Sequence, residues 1–200
     1  LAAYEKSLEI FIYNSGKEGY AYNRMLLHIG IAHQSLGDLE KAEHYYRKGL
    51  LGFEKSGSFP GSLADSYYSL GEVWLKQKEK LDSVHILFNK TLEIRLELDG
   101  ERSPYTADIY GEIGNTYYAE NNFEKAAENY QKAMIANSFQ FSSLDFAKNP
   151  IIEDINDKDR IYFYIECKMR LLGSLWSQDK MVMRFSHNTK NFLIWRINCR

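Results

Sequence analysis

In residues 104–137 the apolar and small positions recur at helical spacing. Tyr110, Ile113, Gly114 and Tyr117 share one face, and Phe123, Ala126, Tyr130 and Ala133 share a second, with the polar stretch "AENN" between them. This spacing predicts two amphipathic helices joined by a short turn.

The pattern returns along the chain. Leu39, Leu81 and Phe123 follow each other at steps of 42, as do Ala42, Val84 and Ala126, then Tyr46, Phe88 and Tyr130, then Gly49, Thr91 and Ala133. A fixed period of this size signals stacked supersecondary units. The same step counted back from Tyr46 and Leu50 lands on Tyr4 and Leu8, so "AAYEKSLEIF" reads as the second helix of a repeat whose first helix lies upstream. In the first helices Gly30, Gly71 and Gly114 are separated by 41 and 43 residues, because "LKQKEKL" carries one more turn residue than "QSLGDL". Closure entropy changes slowly with loop length, so the insertion leaves the helices in phase.

Glycine in a helix interior costs about 0.5–1 kcal/mol relative to alanine, so its return in three corresponding positions needs a compensation. Close helix approach supplies one: Gly114 and Ala126 admit a neighbouring helix, and Tyr117 and Tyr130 fill the space beside them. "RSPYTADIY" places Ser103 at an N-cap with Pro104 at the first helical position, and "SFPGSLADSYY" offers a similar start at Pro60. Pro150 in "AKNPIIEDI" breaks the pattern after the third unit.

The expected fold is therefore all-α, a right-handed superhelical solenoid of antiparallel helix pairs. Its array covers 1–137, with a half-repeat at about 1–16 and repeats at about 20–57, 60–99 and 104–137. An irregular Asn-Pro linker over 138–158, a further helix over 159–178 resuming the array and an atypical tail over 179–200 follow.

Composition narrows the function class. With 44% hydrophobic and 26% charged residues the chain has the balance of a folded domain rather than a disordered one. A net charge of −2 gives no basic field for phosphates, so nucleic acid is not an expected partner. No apolar run is long enough to span a bilayer. Cys167 and Cys199 are too few and too oddly placed for a disulfide framework or a zinc site, and a reducing, cytoplasmic setting is expected.

The column pattern resembles the tetratricopeptide repeat (TPR) family. The third unit supplies Tyr110, Ile113-Gly114, Tyr117, Ala126, Tyr130 and Ala133. The first supplies Leu26, Ile29-Gly30, His33, Ala42, Tyr46 and Gly49, and the second Tyr67, Leu70-Gly71, Trp74, Val84, Phe88 and Thr91, the most divergent set. The 42-residue step resembles the long-repeat variant of kinesin light chains and many bacterial arrays. A second, narrower resemblance links "YQKAMIANSFQFSSLDFAKNPIIEDINDKDRIYFYIECKMRLL" to the segment after the repeats in bacterial proteins with a C-terminal CHAT domain, a caspase-like protease module, where an Asn-Pro loop, here Asn149-Pro150, leads into a helix resuming the array.

Blander readings hold for the chemically tempting residues. His28 and His33 are five apart, not the spacing that puts two metal ligands on one helix face, and His33 occupies an aromatic packing column. His44, His85 and His187 stand alone. "SLGDLE" and "GSFPGS" lack the lysine and spacing of a phosphate-binding loop. "IIEDINDKD" lacks the ligand arrangement of an EF-hand and reads as a solvated linker capping the next helix. Neither cysteine has the context of a thiolate nucleophile. The basic tail with "FLIWRI" fits no repeat column. No catalytic residue, metal site or cofactor is expected, and the chain is not expected to be an enzyme.

What the TPR resemblance implies is protein or peptide binding on the concave face lined by first helices. The family's groove positions fall on Arg24, Leu27, Ile31 and Gln34, then on Asp65, Tyr68, Glu72 and Lys76, and then on Asp108, Glu112, Asn115 and Tyr118. Members that clamp a C-terminal carboxylate use several convergent donors. Here only Asn115 matches, among four acidic residues, which favours a neutral or basic segment with Tyr68 and Tyr118 as anchors. Docking of another part of the same protein into the groove is the competing use. The CHAT resemblance implies a different role, the regulatory region of a cysteine protease whose catalytic domain is absent from this chain, and the kinesin-light-chain resemblance implies a cargo or signalling adaptor.

Overall fold

The structure, a computed structural model, describes residues 2–15, 18–78, 80–145, 148–157, 160 and 164–171. The tail expected at 179–200, residues 172–178 of the expected further helix and its residues 159 and 161–163 lie outside the described residues. Two compact units divide the chain, residues 1–98 and residues 99–200.

The first unit holds α1 (Ala2–Ser15), α2 (Tyr20–Ser35), α3 (Leu39–Ser56), α4 (Pro60–Gln77) and α5 (Leu81–Asp99). α1 packs on α2, α2 on α3 and α3 on α4, α2 also touches α4, and α5 meets α4 through Phe88, which lies on Gly71 and Tyr68. The short turns are made by left-handed residues followed by caps. Gly37 has φ 81° and Asp38 then accepts a hydrogen bond from the Lys41 N–H at 3.2 Å, satisfying one of the free donors of α3. At the α4–α5 turn the extra residue is absorbed differently, with Lys78 and Lys80 at φ 55° and 51°. Pro60 is the first residue of α4, as its sequence predicts, but the residue before it is unlike Ser103. Phe59 takes φ 65° and donates no side-chain cap.

Close approach explains the recurring glycines. A Cβ on Gly30 would stand 2.5 Å from Tyr46 Cε1, one on Gly71 2.7 Å from Phe88 Cε1, and one on Gly114 2.6 Å from Tyr130 Cε1. The aromatic of each second helix lies directly on the glycine of the first, rather than beside it. Tyr46, Phe88 and Tyr130 are almost wholly buried, and each contributes about 1.5–3 kcal/mol of hydrophobic stabilisation.

The second unit holds α6 (Pro104–Ala119), α7 (Phe123–Ala136) and, after them, an irregular segment that ends in helical residues 164–171. Ser103 caps α6 by accepting from the Tyr105 N–H at 3.2 Å, with Pro104 at the first position. Asn121, at φ 60°, and Asn122, which accepts from the Lys125 N–H, repeat the Gly37-Asp38 turn. Two apolar clusters join the parts. Ala107, Ala133, Met134 and Ala136 pack with Ile155 and Tyr164, and Ala126 and Tyr130 pack with Cys167 and Leu171.

The irregular segment is ordered by its polar groups. Asn137 donates to the Asp157 carbonyl at 2.7 Å and accepts from the Asp157 N–H, and the Phe139 N–H donates to the Asp154 carbonyl at 2.8 Å. Asp154, expected to be solvated linker charge, turns its carboxylate onto the N–H groups of Gln140 and Phe141 at 2.6 and 2.5 Å. Asp157 caps the following helical residues by accepting from the Arg160 N–H at 3.2 Å.

Candidate protein-binding face

The first helices α2 and α4 present the groove positions of the first unit. Arg24 is exposed and donates to the Tyr20 hydroxyl at 2.8 Å. Leu27 is buried against Gly49 and serves the core rather than an open face. Ile31, one turn on, is 48% exposed, one of several large aliphatic side chains of this unit that reach solvent, with Ile10, Leu51 and Ile86. Gln34 and Glu72 join the two helices through the Gln34 Nε2 to Glu72 Oε2 hydrogen bond at 3.3 Å, and Gln34 Oε1 accepts from the Tyr46 hydroxyl at 2.7 Å. Asp65 is paired with Arg95 of α5, Tyr68 lies half-buried against Phe88 with ring centroids 5.8 Å apart, and Lys76 is exposed.

In the second unit the corresponding positions are engaged by the chain itself. Asp108 accepts from Arg160 Nε at 2.7 Å and from the Tyr164 hydroxyl at 3.1 Å. Asn115 Oδ1 accepts from the Tyr130 hydroxyl at 2.9 Å while its Nδ2 donates to Glu112 at 3.3 Å, so one of its two N–H donors is already engaged within the unit. Tyr118 packs on Phe123, centroids 5.6 Å apart. Burial, together with the Asp108 charge, raises the Tyr164 pKa and keeps its hydroxyl a donor. The Cys167 thiol is pushed up to about 11 by burial, the reverse of what a nucleophile needs.

Two polar arrangements escape a reading of spacing alone. Two cations lie against the Trp74 ring, with Arg47 at 4.9 Å and Lys80 at 4.8 Å from its centroid, and both reach Glu43 Oε1, at 2.8 and 3.6 Å. Lys80, at φ 51°, thus has side-chain contacts to two different helices. Lys168, only 5% exposed, donates to Asn149 Oδ1 at 2.7 Å, the Lys148 carbonyl at 3.2 Å and Gln131 Oε1 at 3.3 Å. Gln131 in turn donates to the Ser143 carbonyl at 2.7 Å, so α7 and the helical residues 164–171 together grip the Asn-Pro segment. The one legible signal for Lys168 was its place in "YIECKMRLL" a helical turn after the core residue Tyr164.

Among the described residues no group of His, Cys, Asp and Glu side chains could hold a metal ion, and no helix is long and apolar enough to cross a membrane.

Comparison with known proteins bears on this architecture. Residues 62–134 match one family model and residues 24–51 a second, both described as tetratricopeptide repeat. No curated protein sequence matches the chain. Among solved structures it is similar to the crystal structure of BtubC (BKLC) from P. vanneervenii, with TM-score 0.62 and 17% sequence identity, covering 98% of this chain and 79% of that one. At that identity the similarity concerns the fold.

Proposed function

We infer from a chain that carries tetratricopeptide repeats at 24–51 and 62–134 that it is a protein-interaction scaffold, and we propose that it binds a peptide or partner segment on the α2–α4 face of the first unit. Repeats of this kind act by presenting surface and not by chemistry. The observation that carries the location is the exposure of Ile31 beside the Gln34–Glu72 bridge, with Arg24 and Lys76 along the same two helices. Asp108 and Asn115 of the second unit are occupied by Arg160, Tyr164 and Tyr130, which supports intramolecular docking there. A neutral or basic segment fits the first-unit face through Glu72, since Asp65 is paired with Arg95 while Glu72 accepts only from the neutral Gln34 amide.

Selection of a displayed random peptide library on the full chain tests this. Ile31→Asp is expected to weaken selected peptides at least about tenfold, the scale of one buried apolar anchor, whereas Leu51→Asp on exposed α3 leaves them unchanged. The reverse result would move the binding face to the second helices.

A second reading, the regulatory region of a CHAT-type protease, is favoured by one observation. The Asn149 side chain accepts from Lys168, tying the Asn-Pro segment to the helical residues into which, in the family resembled, such a loop leads. An in-frame domain downstream carrying a His and Cys pair in an α/β pattern supports that role, and further repeats there argue against it.

A further inference from the structure

Glu72, partly buried, differs from the other carboxylates around it, of which Glu43 and Asp38 are partly buried and Asp65 is exposed. Glu43 has Arg47 and Lys80, Asp65 has Arg95, and Asp38 has Lys41 at 2.9 Å. Among the described residues no cation lies within ion-pair distance of Glu72. Its one hydrogen bond comes from Gln34, whose own carbonyl oxygen is taken by Tyr46. Donors therefore run in one direction, from the Tyr46 hydroxyl to the Gln34 amide to the Glu72 carboxylate, and the relay ends on an acceptor with an oxygen to spare. Tyr46 is nearly fully buried, and burial, reinforced by the negative charge of Glu72, raises its pKa, so it cannot reverse the relay by ionising near neutral pH. A carboxylate half withdrawn from water without a counter-ion is unfavourable and gains most from a cation brought to it.

The surroundings define that cation. Ile31 lies one helical turn before Gln34 on the same face of α2 and is exposed, an apolar shelf for an aliphatic stem. Lys76, one turn beyond Glu72 on α4, is exposed and opposes a second positive charge at that end. Arg24 has the same effect at the other end of α2.

We propose that Glu72, presented by the Tyr46–Gln34 relay beside Ile31, is the specificity position of the first-unit face, and that it takes a single lysine or arginine flanked by apolar residues in a partner peptide. This rests on the peptide-binding reading above and adds to it the chemistry of the partner.

The test is a displayed random peptide library selected on the full chain carrying wild-type, Glu72→Gln or Glu72→Lys, each checked for unchanged helix content by circular dichroism. Wild type is expected to enrich lysine or arginine at one position with apolar neighbours. A synthetic peptide from that selection should bind about tenfold more tightly than its glutamine counterpart, and Glu72→Gln should bind the two within about twofold. Glu72→Lys should enrich glutamate or aspartate at the same position. Retention of the basic preference by Glu72→Gln, or enrichment of acidic peptides by wild type, overturns the proposal. Selection of peptides with no charged position, still lost in Ile31→Asp, overturns it while leaving the peptide-binding face standing. Recovery of no peptide at all overturns both.

Discussion

Gly114 and Tyr130 are in contact through the ring itself. A Cβ added to Gly114 would stand 2.6 Å from Cε1 and 2.7 Å from Cδ1 of a side chain that is 1% exposed and whose hydroxyl is held by Asn115. The ring cannot retreat without giving up both its burial and its hydrogen bond. Gly114→Ala is expected to destabilise the protein by about 1–3 kcal/mol, the cost of overpacking, although alanine is favoured over glycine in a helix by about 1 kcal/mol. Gly61→Ala is the matched control. Its Cβ would meet only Leu98 at 3.9 Å, so it should be neutral or stabilising by up to about 1 kcal/mol. Urea denaturation of the two variants measures the contrast, and equal effects would remove close approach as the reason for the recurring glycine.

The turns predict gains instead of losses. Lys78 ends α4 at φ 55° and Asn121 precedes α7 at φ 60°, where an L side chain is strained and glycine is not. Lys78→Gly is expected to raise stability by about 0.5–1 kcal/mol. Asn121→Gly should gain less, because asparagine tolerates the left-handed region better than lysine does. Chemical denaturation midpoints rank the pair, and a loss in Lys78→Gly would mean that its side chain holds the turn.

How far these features could be read from sequence depends on whether they repeat. The Gly30–Tyr46, Gly71–Phe88 and Gly114–Tyr130 contacts are each local to one helix pair and occur three times, so periodicity exposes them even though it does not say which atom meets which. Ser103 and Pro104 were legible because capping chemistry is local. Phe59 was not, since nothing in "SFPGS" requires a left-handed phenylalanine. Asp154 read as a solvent-facing charge because its partners are backbone N–H groups of an irregular segment, which carry no sequence signature. The groove positions suffered similarly. Whether Glu72 is neutralised depends on which side chains α2 brings within reach, and Asp108 and Asn115 owe their engagement to residues 15 to 56 positions away.

Arg102 organises the end of α7. Its Nη1 donates to the carbonyls of Ser138, Phe141 and Ile135 at 2.7, 3.1 and 3.2 Å, the last of which also accepts from the Ser138 N–H. Arg102→Met should cost about 1.5–3 kcal/mol, the range for hydrogen bonds from a charged donor. Arg102→Lys is expected to recover part of it, since all three bonds start from one nitrogen and an ammonium also offers several N–H donors, though on a shorter side chain. Amide hydrogen exchange should show the loss of protection concentrated at 138–141. Uniform loss over the second unit would indicate a general destabilisation instead.

Lys168 predicts a pH dependence with a definite sign. Burial pushes its pKa down to about 7, the charge of Asp145 opposing the shift only in part. In the unfolded chain a lysine titrates near 10.4. Between those values the unfolded state binds the extra proton and the folded state does not, so this group makes stability rise with pH from about 7 towards 10 and contributes no slope below about 7. The slope attributable to one such proton is at most about 1.4 kcal/mol per pH unit. Lys168→Met abolishes it, and also leaves Asn149 and the Lys148 carbonyl without their donor, so its absolute stability is not the informative quantity. The informative one is the difference between wild type and variant, in which the titrations of the tyrosines and carboxylates cancel. Urea denaturation from pH 6 to 9.5 is expected to show that difference flat to about pH 7 and then growing in favour of wild type. Parallel curves over the whole range would mean that Lys168 keeps its proton when buried, held by its three oxygen acceptors.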